Sequence, residues 1–289
     1  MPQPKWPEGK KCAIAFTFDF DAESLVLAQD AATIHRPGAL SAGTFGAKVG
    51  IHKILEEMAS AGVKGTFFTP GWVAANRTAA VEAVARAGHE IGHHSYAHRI
   101  LDPADPAAEE DDTDRTIEAI KKAVGVAPTG YRAPFGEPSI NIIRLLTARG
   151  FLYDSSLQDD IVPYRLKVPG AGEAMIELPW HRSTADAPYI VPPRPSFTND
   201  HILTIWKAEF TEAYKAGGYV NMLMHPEAVG RPSRILLLRE FLEFVQGHDD
   251  VWIATCGEIA RHSLATLPPA GDSYTPFLAV DSDGTIRQL

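Results

Sequence analysis

The chain has 289 residues, 45% of them hydrophobic, and a formal net charge of -9, enough chain to bury a full core in one large domain or two small ones. The acidic balance, with a pI near 5.6 and no basic block, argues against nucleic acid or an anionic membrane surface as partner, because both reward a basic face. No stretch approaches the roughly 20 apolar residues of a membrane span, and the two cysteines, Cys12 and Cys256, lie in apolar segments that read as a strand or its end. A disulfide framework is not expected, and the chain reads as cytoplasmic.

The first apolar run, "CAIAFTF" at 12–18, is preceded by lysines but lacks a small-residue cleavage site, so it reads as a strand and not as a signal peptide. "VGIHKILEEMASAG" follows with Ile51, Ile54, Leu55 and Met58 at helical spacing and Gly62 as the stop. "VKGTFFTP" reads as a strand, "NRTAAVEAVARAG" as a helix capped by Asn76 and ended by Gly88, and "HEIGHHS" as the next strand. After the acidic helix "AEEDDTDRTIEAIKKAVG" come "TGYRAPF", the helix "SINIIRLLTARG" and "FLYDSS". "AMIELP", a helix from Ile202 to Ala216, "YVNMLMHP", the helix "RILLLREFLEFVQ" and "VWIATCGEIA" complete the series.

Seven or eight strands separated mostly by helices predict an α/β protein with a parallel sheet. No Gly-rich phosphate loop follows the first strand, which weighs against an open dinucleotide-binding sheet. Asp19, Asp21, His93, His94, Arg132, Asp154 and His225 all fall at the C-terminal ends of different strands, the functional rim of a (β/α) barrel. The expected organisation is a single distorted (β/α) barrel over 1–265. The Pro- and Gly-rich tail, 266–289, packs on the barrel or on a partner subunit of a homo-oligomer. Two stretches break the rhythm, 24–48 and the Pro-, Tyr- and Trp-rich 157–200; long segments on the functional face shape substrate access, and 24–48 reads as a lid.

"GHEIGHHSYAH" places His89, His93, His94 and His98 in one short stretch of a chain with 11 histidines. His94 and His98 are four apart, so on one helical turn both imidazoles share a face and could bind one cation. A His-x-x-x-His spacing alone matches many helix surfaces, and an acid from the first strand is needed to complete a site of zinc's preferred nitrogen and oxygen donors. Asp19 and Asp21, two apart on a strand, face the same way; one can bind metal while the other takes a proton. His89 and His93 read as structural. Taken singly, Arg132 reads as an ion-pair partner and His225 as a core histidine.

The order "TFDFD", "HSYAH", "YRAP", "LMH" resembles the NodB-type polysaccharide deacetylases, carbohydrate esterase family 4, from about Ala13 to about Ile259. The resemblance implies that Asp19 is the general base, that Asp21, His94 and His98 hold a divalent metal, zinc before other transition metals, that Arg132 orients the base and that His225 is the general acid. The first motif departs from the family's Thr-Phe-Asp-Asp, because Phe20 stands between the two acids. A clear fourth motif, which in the family tunes the catalytic histidine, is missing, and Trp180 and Asp154 are the candidates for that role.

"FDFDAE" and the long segment after it resemble an intracellular branch of the family that includes peptidoglycan deacetylase-like proteins and hydrolases of cyclic imides and allantoin. The implied activity is metal-dependent hydrolysis of a non-peptide C-N amide bond, as an N-deacetylase acting on an N-acetylated carbohydrate. The alternatives are a small-molecule cyclic imide or ureide amidohydrolase and a non-catalytic metal- or sugar-binding protein.

Overall fold

The computed structural model describes residues 4–169, 175–191, 196–268, 277–281 and 285–288. Its strands are β1 (Cys12–Asp19), β2 (Thr66–Thr69), β3 (Glu90–His93), β4 (Gly130–Tyr131), β5 (Tyr153–Asp154), β6 (Tyr164–Leu166), β7 (Met175–Glu177), β8 (Tyr219–Met224), β9 (Val251–Ile253), β10 (Leu278–Val280) and β11 (Ile286–Gln288). The first nine form one curled sheet in the order β6-β7-β5-β4-β3-β2-β1-β8, with β9 on β1. Every pairing in it is parallel except β6 with β7. This is the expected distorted (β/α) barrel. The short antiparallel β6, which follows Pro163, was not anticipated.

All eight residues of β1 are buried, as parallel strands covered on both faces must be. Its two faces differ in size. Ile14, Phe16, Phe18 and then Phe20 enter the core between sheet and helices, with Ile51, Trp206 and Phe241. Ala13 and Ala15 point the other way, into the barrel, with Phe68, Tyr153, Ile176 and Leu178. Small residues are needed there because the interior is filled by layers of side chains. The helix Cys256–Thr266 closes the bottom of that interior with Cys256, Ile259 and Ala260, and a capping box between Thr255 and Glu258 fixes its start. Cys256 therefore opens a helix and is not in a strand.

Continuing the period of two upward, Thr17, Asp19 and Asp21 follow Ala13 and Ala15 on the inner face. The interior thus grades from apolar at the bottom to ionic at the top. Glycine permits the tight layers: a Cβ on Gly92 of β3 would lie 2.6 Å from the Phe68 ring.

Segment 24–48 is mostly helical, with turns over Ser24–Gln29 and Ala31–His35 and a helix over Pro37–Phe45. Pro37 occupies the first helical turn, where its missing N–H is no loss. A π-helical stretch, Gly46–Gly50, leads into the helix Ile51–Ser60. A Cβ on Gly50 would lie 2.1 Å from the Pro226 carbonyl oxygen, so this stretch is clamped against the segment that follows His225. Asn76 ends the short helix Gly71–Asn76, and Arg77 precedes the helix Thr78–Arg86; the expected Asn76 cap is displaced by one residue. In the tail, β10 and β11 pair with each other, and Phe277 packs against the cluster around Tyr131 and Leu146. Among the described residues no helix is long and apolar enough to cross a membrane.

Candidate metal and catalytic site

Asp19, Asp21, His94, His98, Arg132 and His225, drawn from four strand ends, meet at the top of the barrel. The anchor is Arg132, 1% exposed, which uses all five of its donors. Nη1 donates to Asp19 Oδ1 and Thr17 Oγ1, both at 2.8 Å. Nε and Nη2 donate to the Ser155 carbonyl and hydroxyl at 2.9 Å, and Nη2 also to Asn221 Oδ1 at 3.2 Å. The guanidinium lies 4.2 Å from the centre of the Phe68 ring. Such a fully bonded fork cannot rotate, and it fixes the carboxylate it holds. Burial alone would raise the Asp19 pKa, but Arg132, with His94 and His225, outweighs it and holds the group below its ordinary value.

Asp21 has the opposite balance. Among the described residues none donates to either carboxylate oxygen, both of which are buried, and burial pushes its pKa up to about 6. Around it stand His94 Nε2 at 3.5 Å from Oδ1, and His98 Nε2 at 3.3 Å and His225 Nε2 at 3.8 Å from Oδ2.

His94 Nδ1 donates to the Arg132 carbonyl at 2.6 Å, which fixes the tautomer with a bare lone pair on Nε2. Burial lowers the pKa of His94, and lowers that of His98 to about 4, so neither imidazole is held as a cation. A lone pair therefore faces a carboxylate, and His94 Nε2 and both Asp21 oxygens find no partner. Buried polar atoms rarely remain in that state. One ligand atom each from Asp21, His94 and His98 lies within 4.8 Å of the others. A cation among them resolves the conflict, and the donor set of two neutral imidazoles and a carboxylate fits a divalent transition metal.

The spacing of the two histidines is not helical. β3 ends at His93, and residues 94–98 form a bent loop in which Ser95 and His98 have φ of 60° and 54°. Their rings still meet edge to face, with centres 4.9 Å apart. Asp112 holds the loop, accepting from the Tyr96 backbone N–H and the Ser95 hydroxyl. The non-glycine residues with positive φ among those described are Ala22, Ser95, His98 and Phe135. All four adjoin the site, as expected of backbone strain held in place by function.

His93 points away from the cluster, toward the Thr113 carbonyl, and His89 accepts from the Gly65 N–H at 3.0 Å; both are structural, as the sequence suggested. Asp154 does not reach His225. It accepts from Ser156 Oγ at 2.6 Å, while the Trp180 indole donates to the Ser156 carbonyl. The partner of His225 is Asp186. Its Oδ1 lies 2.7 Å from Nδ1 and its Oδ2 accepts the His225 backbone N–H at 2.8 Å. Burial opposes charge on this imidazole, but the Asp186 carboxylate outweighs it and holds the pKa well above the ordinary value. Asp186 escaped the sequence reading because one isolated bridge, Ala185 to Leu223 of β8, is what carries it there.

A cavity of about 350 Å³ opens above the cluster. Its walls include Leu25 and Gln29 from the 24–48 segment, Phe135, and Trp180, Pro188 and Val191 from the 157–200 stretch. Both interruptions of the sequence rhythm thus shape it, the second more than the first.

The chain aligns with a Mycobacterium smegmatis protein assigned to the polysaccharide deacetylases, 38% identical, covering 93% of this chain and 96% of that one with a TM-score of 0.88. It belongs to the polysaccharide deacetylase family. The family model described as polysaccharide deacetylase matches residues 42–153 of this member. The peptidoglycan deacetylase of Helicobacter pylori is 28% identical over 90% of this chain and 98% of its own. Puue allantoinase, 24% identical with a TM-score of 0.79 over 93% of this chain and 95% of its own, shares the fold.

Proposed function

We propose that this family member is a divalent-metal-dependent hydrolase of non-peptide amide bonds, an N-deacetylase by reaction type. The observation that carries this is the buried, unpartnered Asp21, His94 and His98 cluster set between a carboxylate held ionised and an imidazole held protonated. Asp21 Oδ, His94 Nε2 and His98 would hold the metal, for which zinc suits the donor set. When bound, it supplies a Lewis acid that polarises the amide carbonyl and acidifies water.

The chain's own groups divide the proton work. Asp19, ionised and fixed by Arg132, takes a proton from the attacking water. Phe135 lines the cavity beside this cluster, and its backbone N–H is the candidate donor to the carbonyl oxygen as negative charge develops there. His225, protonated against Asp186, gives its proton to the departing nitrogen. An amide and one water become a carboxylate and a protonated amine, with no other reactant. A binding protein would need neither the Asp19–Arg132 nor the His225–Asp186 pair, which weighs against the non-catalytic alternative.

Two substrate classes share this chemistry. The relationship to the H. pylori enzyme supports an N-acetylated carbohydrate, whereas a cavity of about 350 Å³ with largely apolar walls favours a small amide such as a cyclic imide or ureide. The barrel over 1–265 is the catalytic unit and 266–289 an accessory tail. The free, buried Cys12 and Cys256 accord with a reducing, cytoplasmic setting. A panel of N-acetyl sugars, glycan oligomers, cyclic imides and ureides, assayed with zinc-loaded protein, tests the reading. Turnover of at least one class is expected, and none on any would overturn it.

A further inference from the structure

The turn Arg182–Thr184 is a rigid mount. The Thr184 hydroxyl donates to the Asn221 carbonyl at 2.8 Å, the Ser183 N–H lies 3.3 Å from His181 Nδ1, and Ala185 bridges to Leu223. Two side chains leave this mount toward the cavity side. Asp186 engages His225, and Arg182 lines the cavity itself. Arg132, which also lines the cavity, has all its donors occupied, whereas the Arg182 side chain is exposed and makes no hydrogen bond or ion pair within the described residues.

The rest of the described wall is apolar, formed by Leu25, Ala185, Ala187, Pro188, Val191 and Leu223. Among the described residues, and beyond the reacting cluster and Trp180, the polar side chains at the cavity are Gln29 and Arg182. A bare sugar would press hydroxyls against hydrocarbon and lose their hydrogen bonds to water. An apolar body fills the same space without that loss, and an unpaired guanidinium at the edge is built to take a carboxylate in a two-pronged grip. The overall charge of -9 makes an unneutralised arginine beside a cavity the feature that admits an anion there.

We propose that Arg182 is a specificity residue, and that the substrate class of this site is a small amide with an apolar body and a carboxylate, the carboxylate resting on Arg182 while the amide reaches the cluster. This rests on the amide-hydrolase reading for the reaction, but the binding of the carboxylate can be measured apart from turnover.

The test is calorimetric titration of the zinc-loaded protein with N-acetyl-leucine and with N-acetyl-leucine amide, which share a body and differ in the carboxylate. Wild type is expected to bind the acid at least about tenfold more tightly, with the preference shrinking as salt rises. R182A is expected to lose the preference, and R182K to keep part of it, a lysine lacking the planar fork. Equal affinity for both compounds in wild type, or a preference for the acid that survives in R182A through direct contact with the metal, would overturn the proposal. If neither compound nor any other amide is hydrolysed while the Arg182-dependent preference persists, the reaction reading fails and the carboxylate subsite stands.

Discussion

Asp19 with Asp21, and Asp154 with Glu177, are two pairs of buried acidic side chains that the protein treats in opposite ways. At the top, Asp19 and Asp21 share a face at the end of β1; one is held by Arg132 and the other is surrounded by imidazoles with no donor of its own. On the other side of the sheet, Asp154 of β5 and Glu177 of β7 are register partners in a parallel ladder. Both are fully buried, and Asp154 Oδ2 and Glu177 Oε2 have no donor. Among the described residues no guanidinium or imidazole is bonded to that pair. Burial, with Asp154 beside it, holds the Glu177 pKa well above its ordinary value, so the pair keeps one proton between its two carboxyls. Two buried acids are thus not by themselves a metal site. What separates the pairs is the company: neutral imidazoles and a fixed arginine facing a cavity on one side, a hydroxyl, a backbone N–H and dry β-ladder on the other.

The comparison breaks most sharply at Asp19. Asp19→Asn keeps an oxygen for Arg132 but removes the proton acceptor, and turnover should fall by about 10³-fold with bound metal unchanged. Steady-state rates and elemental analysis on the same preparation decide it; metal lost along with activity would exchange the roles of Asp19 and Asp21.

Next in size is Asp186→Asn. Without that carboxylate the His225 imidazolium loses its support, so kcat should fall by roughly 10²-fold, and the alkaline limb of the kcat profile should move to lower pH. An unchanged limb would separate the Asp186 contact from the acid's tuning.

The smallest effect sharpens the other side. Folded protein holds a proton on the Asp154 and Glu177 pair where the unfolded chain has released it, so folding takes one up. Stability should therefore fall as pH rises from the ordinary glutamate range toward the raised folded pKa, by about 1.4 kcal/mol per pH unit from this pair. Glu177→Gln keeps a donor toward Asp154 without the titration. Chemical denaturation between pH 5 and pH 8, on the order of three units of span, should show the variant gaining on wild type as pH rises; parallel profiles would show that no proton is shared.

Much of the site could be read from the chain because its residues sit where regular strands end. The period of two in β1 puts Asp19 and Asp21 on the inner face whatever follows, and His225 and Arg132 come directly after β8 and β4. Right pairing came with wrong geometry at His94 and His98, where left-handed residues and Asp112 do what a helical turn was expected to do. Asp186 lay beyond reach because its position depends on a single bridge to β8 inside a Pro-rich stretch with no periodic signal. Glu177 was hidden for a related reason: its neighbour in space, Asp154, is set by strand order, which local pattern does not carry. The 24–48 segment broke the rhythm of strands and helices in the sequence, yet Pro37, which opens a helix there, is itself a helix signal.

The central claim is that Asp21, His94 and His98 hold one divalent cation. Its most direct test is the zinc content of wild type, Asp19→Asn and the His94→Ala, His98→Ala double variant, each chelated, reloaded and desalted side by side. About one zinc per chain is expected in wild type and in Asp19→Asn, and essentially none in the double variant, given neutral imidazoles as ligands. A double variant that still retains stoichiometric zinc would contradict the site.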